Sequence, residues 1–354
     1  MTSDPQQKSP AHSNTRMAFA GMSHGHINWI MRNWQRKDID IVGFWEPHRG
    51  LAERYAAQYN VPLHQIYSDL DAMLDALQPE AVCAFGSIYD HLRVVEACAP
   101  RKIHVMVEKP LAVNMEHASK MAWLARTYGI HLITNYETTW YASTYAAQRL
   151  AVAEGALGPI RKIVVHDGHF GPAEIGCNAE FLGWLTDPVL NGGGAVVDFG
   201  CYGANLITWL LGGIEPESVT AVLQTLKPEV YPRVDDEATI ILTYTNAQGI
   251  IQGSWNWPLP RKDMEIYGKN GYVVAVDDLT MRLRTRGEKS EQTMSLPPAP
   301  DHIRDPFSYF AAVVSGAERV EPGNLWSLEN ALSVVKILDA ARLSAREGRT
   351  VRLS

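Results

Sequence analysis

Apolar and polar positions alternate in two rhythms along the first part of the chain. Short apolar runs at 17–20, 40–45, 81–85, 103–107 and 130–134 read as strands. Between them, apolar residues recur at helical spacing over 27–34, 51–59, 68–77, 91–99 and 116–128, with Ser68 as a predicted N-cap and Gly129 as a stop. This β-α alternation predicts a mostly parallel sheet with helices on both faces. From about residue 160 the rhythm changes. A strand is predicted over 160–166, and hairpins over 238–257 and 264–276 turn at Asn246-Ala247-Gln248-Gly249 and Lys269-Asn270-Gly271. Within the first hairpin Trp255 and Trp257 fall on one strand face, a pattern of core or subunit contact. An apolar helix over 327–346 closes the chain. The overall class is α/β, with a parallel N-terminal sheet and a C-terminal α+β domain.

A length of 354 residues suggests two domains. The boundaries drawn are a disordered polar tail at 1–16, a first domain at 17–136 and a second at 137–354. The tail has no apolar core of a secretory leader, and no stretch is long enough to span a membrane. A net charge of -7 without a dense basic run argues against nucleic acid as a partner. Cys83, Cys98, Cys177 and Cys201 show no C-x-x-C spacing, which points to a reducing compartment, the cytoplasm.

The first strand ends in Gly21-Met22-Ser23-His24-Gly25-His26. A dinucleotide needs a tight, small-residue turn there, although G-x-G-x-x-G is broken at Ser23 and His26. Glu46 ends the second strand 25 residues after Gly21, where an acid accepts from the ribose hydroxyls of NAD. His48 and Arg49 just beyond leave NADP open. A metal reading of His24 and His26 lacks a third ligand, so no metal is expected. Glu108-Lys109-Pro110-Leu111-Ala112 sets an amine at the end of the fourth strand; the plainer reading is a surface ion pair before a turn. In Gly192-Gly193-Gly194-Ala195-Val196-Val197-Asp198 and the helix after it, Asp198, Tyr202 and Asn205 fall on one helical face.

Taken together, the turn at Gly21, Glu46, the EKPLA stretch and GGGAVVDFGCYGAN resemble the Gfo/Idh/MocA family, over a span from about Met17 to the C-terminus. Tyr202 looks like the branch containing glucose–fructose oxidoreductase and dihydrodiol dehydrogenase. The resemblance implies a Rossmann domain and a large open, mainly antiparallel sheet that makes a homodimer or homotetramer. It implies NAD, with NADP possible, and hydride transfer at a carbinol of a sugar, polyol or glycoside. Cofactor contacts fall to Gly21, Ser23, His24, Gly25, His26, Glu46, Ser87, His91, Glu108, Lys109 and Asn135. Substrate contacts fall to Lys109, Tyr136, His169, Trp184, Asp198 and Tyr202, with Arg261 and Lys262 more remote. In this reading Tyr202 is the general acid/base, Lys109 lowers its pKa, and Asp198 orients the lysine or a substrate hydroxyl. Two other readings stay open. One is an NAD-dependent glycosidase or C-glycoside-processing enzyme that oxidises its sugar transiently and uses His169 or Asp198 as a further base. The other is a non-catalytic dinucleotide sensor.

Overall fold

Every apolar run of the first part enters one sheet. Strands β1 (Arg16–Ala20), β2 (Asp40–Trp45), β3 (Ile66–Tyr67), β4 (Ala81–Ala84), β5 (His104–Glu108) and β6 (Leu132–Asn135) pair in parallel, in the order β3-β2-β1-β4-β5-β6. The computed structural model describes residues 14–300 and 304–353. The order in which strands are added reverses between β1 and β4, which opens a crevice at their carboxyl ends. Helices α1 (Ile27–Met31), α2 (Arg49–Tyr59), α3 (Leu70–Leu77), α4 (His91–Cys98) and α5 (Met115–Tyr128) make the crossovers. The parallel sheet with its crossover helices is thus as the alternation predicted.

Local details differ. Helix α1 stops short of its predicted end because the chain tightens after Met31, with Asn33 N donating to Ile30 O at 3.0 Å. Asp69, not Ser68, caps α3; its carboxylate accepts from Ala72 N at 2.8 Å. Of the predicted tail, residues 1–13 lie outside the described residues, and Arg16 already belongs to β1.

The second part begins with α6 (Ala142–Gln148), β7 (Ile160–Gly168), α7 (Ala179–Leu185), α8 (Ala195–Asp198) and α9 (Gly200–Leu210). Strands β8 (Ser218–Gln224), β9 (Glu237–Thr243), β10 (Gln248–Ser254), β11 (Arg261–Gly268), β12 (Gly271–Ala275), β13 (Thr280–Thr285) and β14 (Gln292–Ser295) follow. Last come α10 (Pro306–Val314), α11 (Leu328–Glu347) and β15 (Val351–Arg352). The nine-stranded sheet runs β14-β13-β12-β11-β7-β10-β9-β8-β15, antiparallel except where β10 meets β7. Strand β10 ends at Ser254, before the predicted 257; one further in-register bond, Trp255 N to Asp236 O at 2.8 Å, follows its last residue.

The C-terminal segment returns to the first sheet. Phe307 meets Phe19 edge-on at 5.6 Å, and Ala331 and Val335 of α11 enter the core between α5 and the parallel strands. This seam holds the two sheets against one another beside the crevice. Among the described residues no helix is long and apolar enough to cross a membrane.

Candidate active site

Backbone geometry builds the floor of the crevice. Gly21 has φ +84°, and a Cβ there would lie 2.5 Å from Gly86 N, so the turns after β1 and β4 meet main chain to main chain. Beside them opens a cleft of about 550 Å³ lined by Gly21, Ser23, Glu46, Gly86, Ser87 and Trp184. Glu46 Oε2 accepts from Met22 N and Oε1 from His48 N, both at 2.8 Å. Burial raises its pKa above the ordinary carboxylate value. Each oxygen keeps acceptor capacity. Main-chain amides as donors and a carboxylate at the end of β2 as acceptor are the groups a dinucleotide requires, so the residues present fit NAD.

The histidine-rich turn closes on the end of β5. His26 Nδ1 lies 3.0 Å from Glu108 Oε2, and Asn135 Nδ2 donates to Glu108 Oε1 at 2.7 Å. Trp140 Nε1 donates in turn to Asn135 Oδ1 at 3.1 Å. Burial opposes charge on Glu108, but the two imidazoles and Asn135 outweigh it and bring its pKa to about 2. Glu108 is thus the third group that the metal reading of His24 and His26 lacked. The geometry makes it an acceptor instead. His24 Nδ1 accepts from His26 N at 3.1 Å, which puts the ring proton on Nε2, facing Glu108 at 3.9 Å. Burial also drives the His24 pKa well down.

Lys109 follows directly. It is buried, and its Nζ bonds the Asp198 carboxylate through Oδ1 and donates to the Asp198 carbonyl at 2.9 Å. The carbonyl has no helical N–H partner because the predicted helix breaks: α8 ends at Asp198 and α9 starts at Gly200. Asp235 fixes the start of α8, its carboxylate accepting from Gly194 N at 2.9 Å and Val196 N at 2.7 Å. A Cβ on Gly194 would sit 1.8 Å from Asp235 O, so only glycine allows the approach. Asp198 Oδ2 accepts from Trp255 Nε1 at 3.0 Å. Burial disfavours both charges, yet their pairing wins: the Lys109 pKa is raised and that of Asp198 lowered.

A second ammonium lies close by. Lys262 Nζ is 4.5 Å from the centroid of the Tyr202 ring and Lys109 Nζ is 5.1 Å from it. Lys262 pairs with Glu137 and lies 3.7 Å from Asp167 Oδ2. Glu137, Asp167, His169, Phe199 and Lys262 line a cavity of about 600 Å³. Burial lifts the Asp167 pKa to about 8 against the pull of both lysines. His169 Nδ1 accepts from Gly171 N at 2.9 Å, and burial holds the ring neutral, so Nε2 carries its proton.

Several predicted residues take other places. Tyr202 has its ring, not its hydroxyl, against Lys109; burial, with Glu137 and Asp167 nearby, pushes its pKa well up rather than down. Asn205 is turned away into the core, donating to Leu325 O at 2.9 Å, because the helix break rotates α9 out of register with Asp198. Tyr136 is fully buried with its ring edge-on to Tyr202 at 5.8 Å and lines neither of the two cavities described. Trp184 belongs to the coenzyme cleft: its Nε1 donates to Ser23 Oγ at 3.0 Å and its ring stacks on His24 at 5.6 Å. His91 lies beneath the EKPLA loop, fully buried, with Nδ1 3.1 Å from Leu111 O. Arg49 is exposed and paired with Glu53, and Arg261 is half-exposed and paired with Asp263. Gly25 lies in the turn with open space around it. Asp167, Glu137, Asp235 and the Trp255 indole were missed, since the first two stand in strand and turn contexts without a motif. A signal for Trp255 did exist, as a tryptophan in a strand beside small polar residues.

Two family models match the chain. One, described as oxidoreductase family with an NAD-binding Rossmann fold, covers residues 16–136; the other, GFO/IDH/MocA C-terminal domain, covers residues 145–274. Trans-1,2-dihydrobenzene-1,2-diol dehydrogenase of Bos taurus is 26% identical over 288 residues, 79% of each chain. The 1,5-anhydro-D-fructose reductase of Ensifer adhaerens is 25% identical over 247 residues, 66% of this chain and 69% of its own. Among solved structures, an inositol dehydrogenase homologue from Azotobacter vinelandii complexed with NAD+ superposes with a TM-score of 0.82 at 18% identity, covering 97% of this chain and 98% of its own. Aldose-aldose oxidoreductase from Caulobacter crescentus gives 0.79 at 24% identity, covering 96% and 100%.

Proposed function

The chain belongs to the Gfo/Idh/MocA family of NAD-binding oxidoreductases, and from that premise we propose that it transfers a hydride to or from a carbinol carbon of a sugar, polyol or glycoside. The observation that carries this reading is the buried Lys109 ammonium at the crevice. Two of its three N–H bonds are committed to Asp198, which leaves one for a substrate oxygen. NAD, when bound, supplies or accepts the hydride. The residues of the chain do the rest. Lys109 draws electron density onto the substrate oxygen and steadies the charge that develops there. Asp198 and Trp255 keep the ammonium charged and aimed, and the Tyr202 ring holds it in place by cation–π attraction. His169 offers Nε2–H to a substrate hydroxyl.

Glu46 favours NAD over NADP, because a carboxylate beside the ribose position repels a 2′-phosphate. The readings of Asp198 or His169 as a second base for elimination lose support, since the first is locked to Lys109 and the second presents a donor. Exposed Val222 and Tyr267 on strands of the open sheet support self-association through it, to be checked by light scattering. Four free cysteines, three of them buried, suit a cytoplasmic setting.

The test is to denature purified protein and identify any released dinucleotide. Nicotinamide fluorescence is then followed against a panel of sugars, polyols and glycosides. Substrate-dependent gain or loss of NADH signal supports the reading. Coenzyme binding without any such change overturns it in favour of a sensor.

A further inference from the structure

We infer that Asp167 is the acid–base residue of this site, the carboxyl that exchanges a proton with the substrate oxygen held by Lys109. The inference rests on the hydride-transfer reading above and supplies what that reading leaves open. Removing or adding a hydride at a carbinol also moves one proton, and a group must take or give it.

The other acid–base candidates around Asp167 are either engaged by partners or poor acids. Asp198 is bound by Lys109 and by Trp255 Nε1 at 3.0 Å. The neutral His169 ring has its bare nitrogen occupied by Gly171 N at 2.9 Å. Glu137 is paired with Lys262 and accepts from Tyr141 Oη at 3.3 Å. Tyr202 is a weaker acid than free tyrosine in this setting. Asp167 differs from all of them. It is 2% exposed, lines the cavity with His169, and its buried Oδ2 has no hydrogen bond to a described residue. Its nearest cation, Lys262 Nζ at 3.7 Å, is too distant for one and is engaged by Glu137.

The charges facing Asp167 come from four elements. Lys262 on β11 and Lys109 after β5 favour its ionised form; Glu137 after β6 and Asp198 on α8 oppose it, as does burial, which dominates. The outcome, a pKa of about 8, leaves the carboxyl protonated at neutral pH. In the reducing direction a hydride from NADH adds to the carbonyl carbon and the C=O π pair moves onto oxygen. Lys109 bonds the forming alkoxide, and the Asp167 O–H proton passes to it, giving the carbinol. The Asp167 carboxylate then regains a proton from water. In the oxidising direction the ionised carboxylate takes the hydroxyl proton. Reduction therefore weakens, and oxidation strengthens, as pH rises through about 8.

Full-length wild type, Asp167→Asn and Asp167→Glu are compared. Infrared difference spectra across the same pH range read the carboxyl directly, without substrate. Wild type shows a protonated carboxylic band at neutral pH that disappears on alkalinisation and is absent from Asp167→Asn. Single-turnover hydride transfer, with a compound that wild type accepts, falls roughly 10²–10⁴-fold in Asp167→Asn and recovers in part in Asp167→Glu. The pH dependence near 8 disappears with it, while NADH binding by fluorescence is unchanged. An Asp167→Asn protein with the wild-type rate and pH profile overturns the inference, as does a spectrum with no Asp167-dependent protonated band. A wild type that binds NADH and turns over nothing overturns the parent reading instead, so the two failures are distinct.

Discussion

Two aspartates stand near the same tyrosine ring, each beside a lysine, and they titrate in opposite directions. Asp198 touches Lys109 directly and accepts the Trp255 indole, so it stays ionised below its ordinary range. Asp167 is buried to a similar degree, but its lysine is 3.7 Å away and prefers Glu137, so its pKa rises to about 8. Burial is common to both; a hydrogen-bonded partner is not. Desolvation decides the protonation state only where no donor offsets it. The Lys109 half is a fixed electrostatic frame, and the Lys262 half holds a movable proton.

The comparison can be broken by removing its parts. Lys109→Ala takes away the ammonium itself and lowers turnover by roughly 10²–10⁴-fold, with coenzyme binding kept; steady-state kinetics beside NADH titration checks this. Trp255→Phe deletes one hydrogen bond to the ionised Asp198, worth about 1.5–3 kcal/mol, and makes the frame titrate. Its signature is an acidic limb in the pH–rate profile at higher pH than in wild type. Tyr202 divides the readings more finely. Tyr202→Leu loses ring attraction for two ammoniums, about 0.5–2 kcal/mol each, while Tyr202→Phe keeps the ring and keeps activity near wild type. A collapse of activity in Tyr202→Phe would return the hydroxyl to the chemistry.

The smallest effect on turnover concerns Glu108, whose charge is secured on the coenzyme side of the crevice and shows in stability instead. Its pKa falls from 4.5 to about 2 on folding, so the folded state binds its proton less readily than the unfolded one. The stabilisation is full above the unfolded value of 4.5 and is lost as pH falls towards 2. Urea melts across that window show a steep acid loss in wild type and a flatter one in Glu108→Gln.

The amino-acid sequence by itself determined the parallel sheet and the position of its crevice. Strand and helix periods, Gly21 and the carboxylate at the end of β2 are local signals, readable without neighbours. The family resemblance carried by two short motifs implied that Lys109 and Asp198 share a site. The protonation of each group was decided only by tertiary structure. A break at Phe199 freed the Asp198 carbonyl, Asp235 arrived from 41 residues away to clamp Gly194, and Lys262 came from β11 to the Tyr202 ring. Asp167 has no motif because its pKa comes from burial and from a missing partner, and both arise only when distant strands meet. Periodicity records which way a side chain points; what lies opposite it, and hence its charge, is settled by packing.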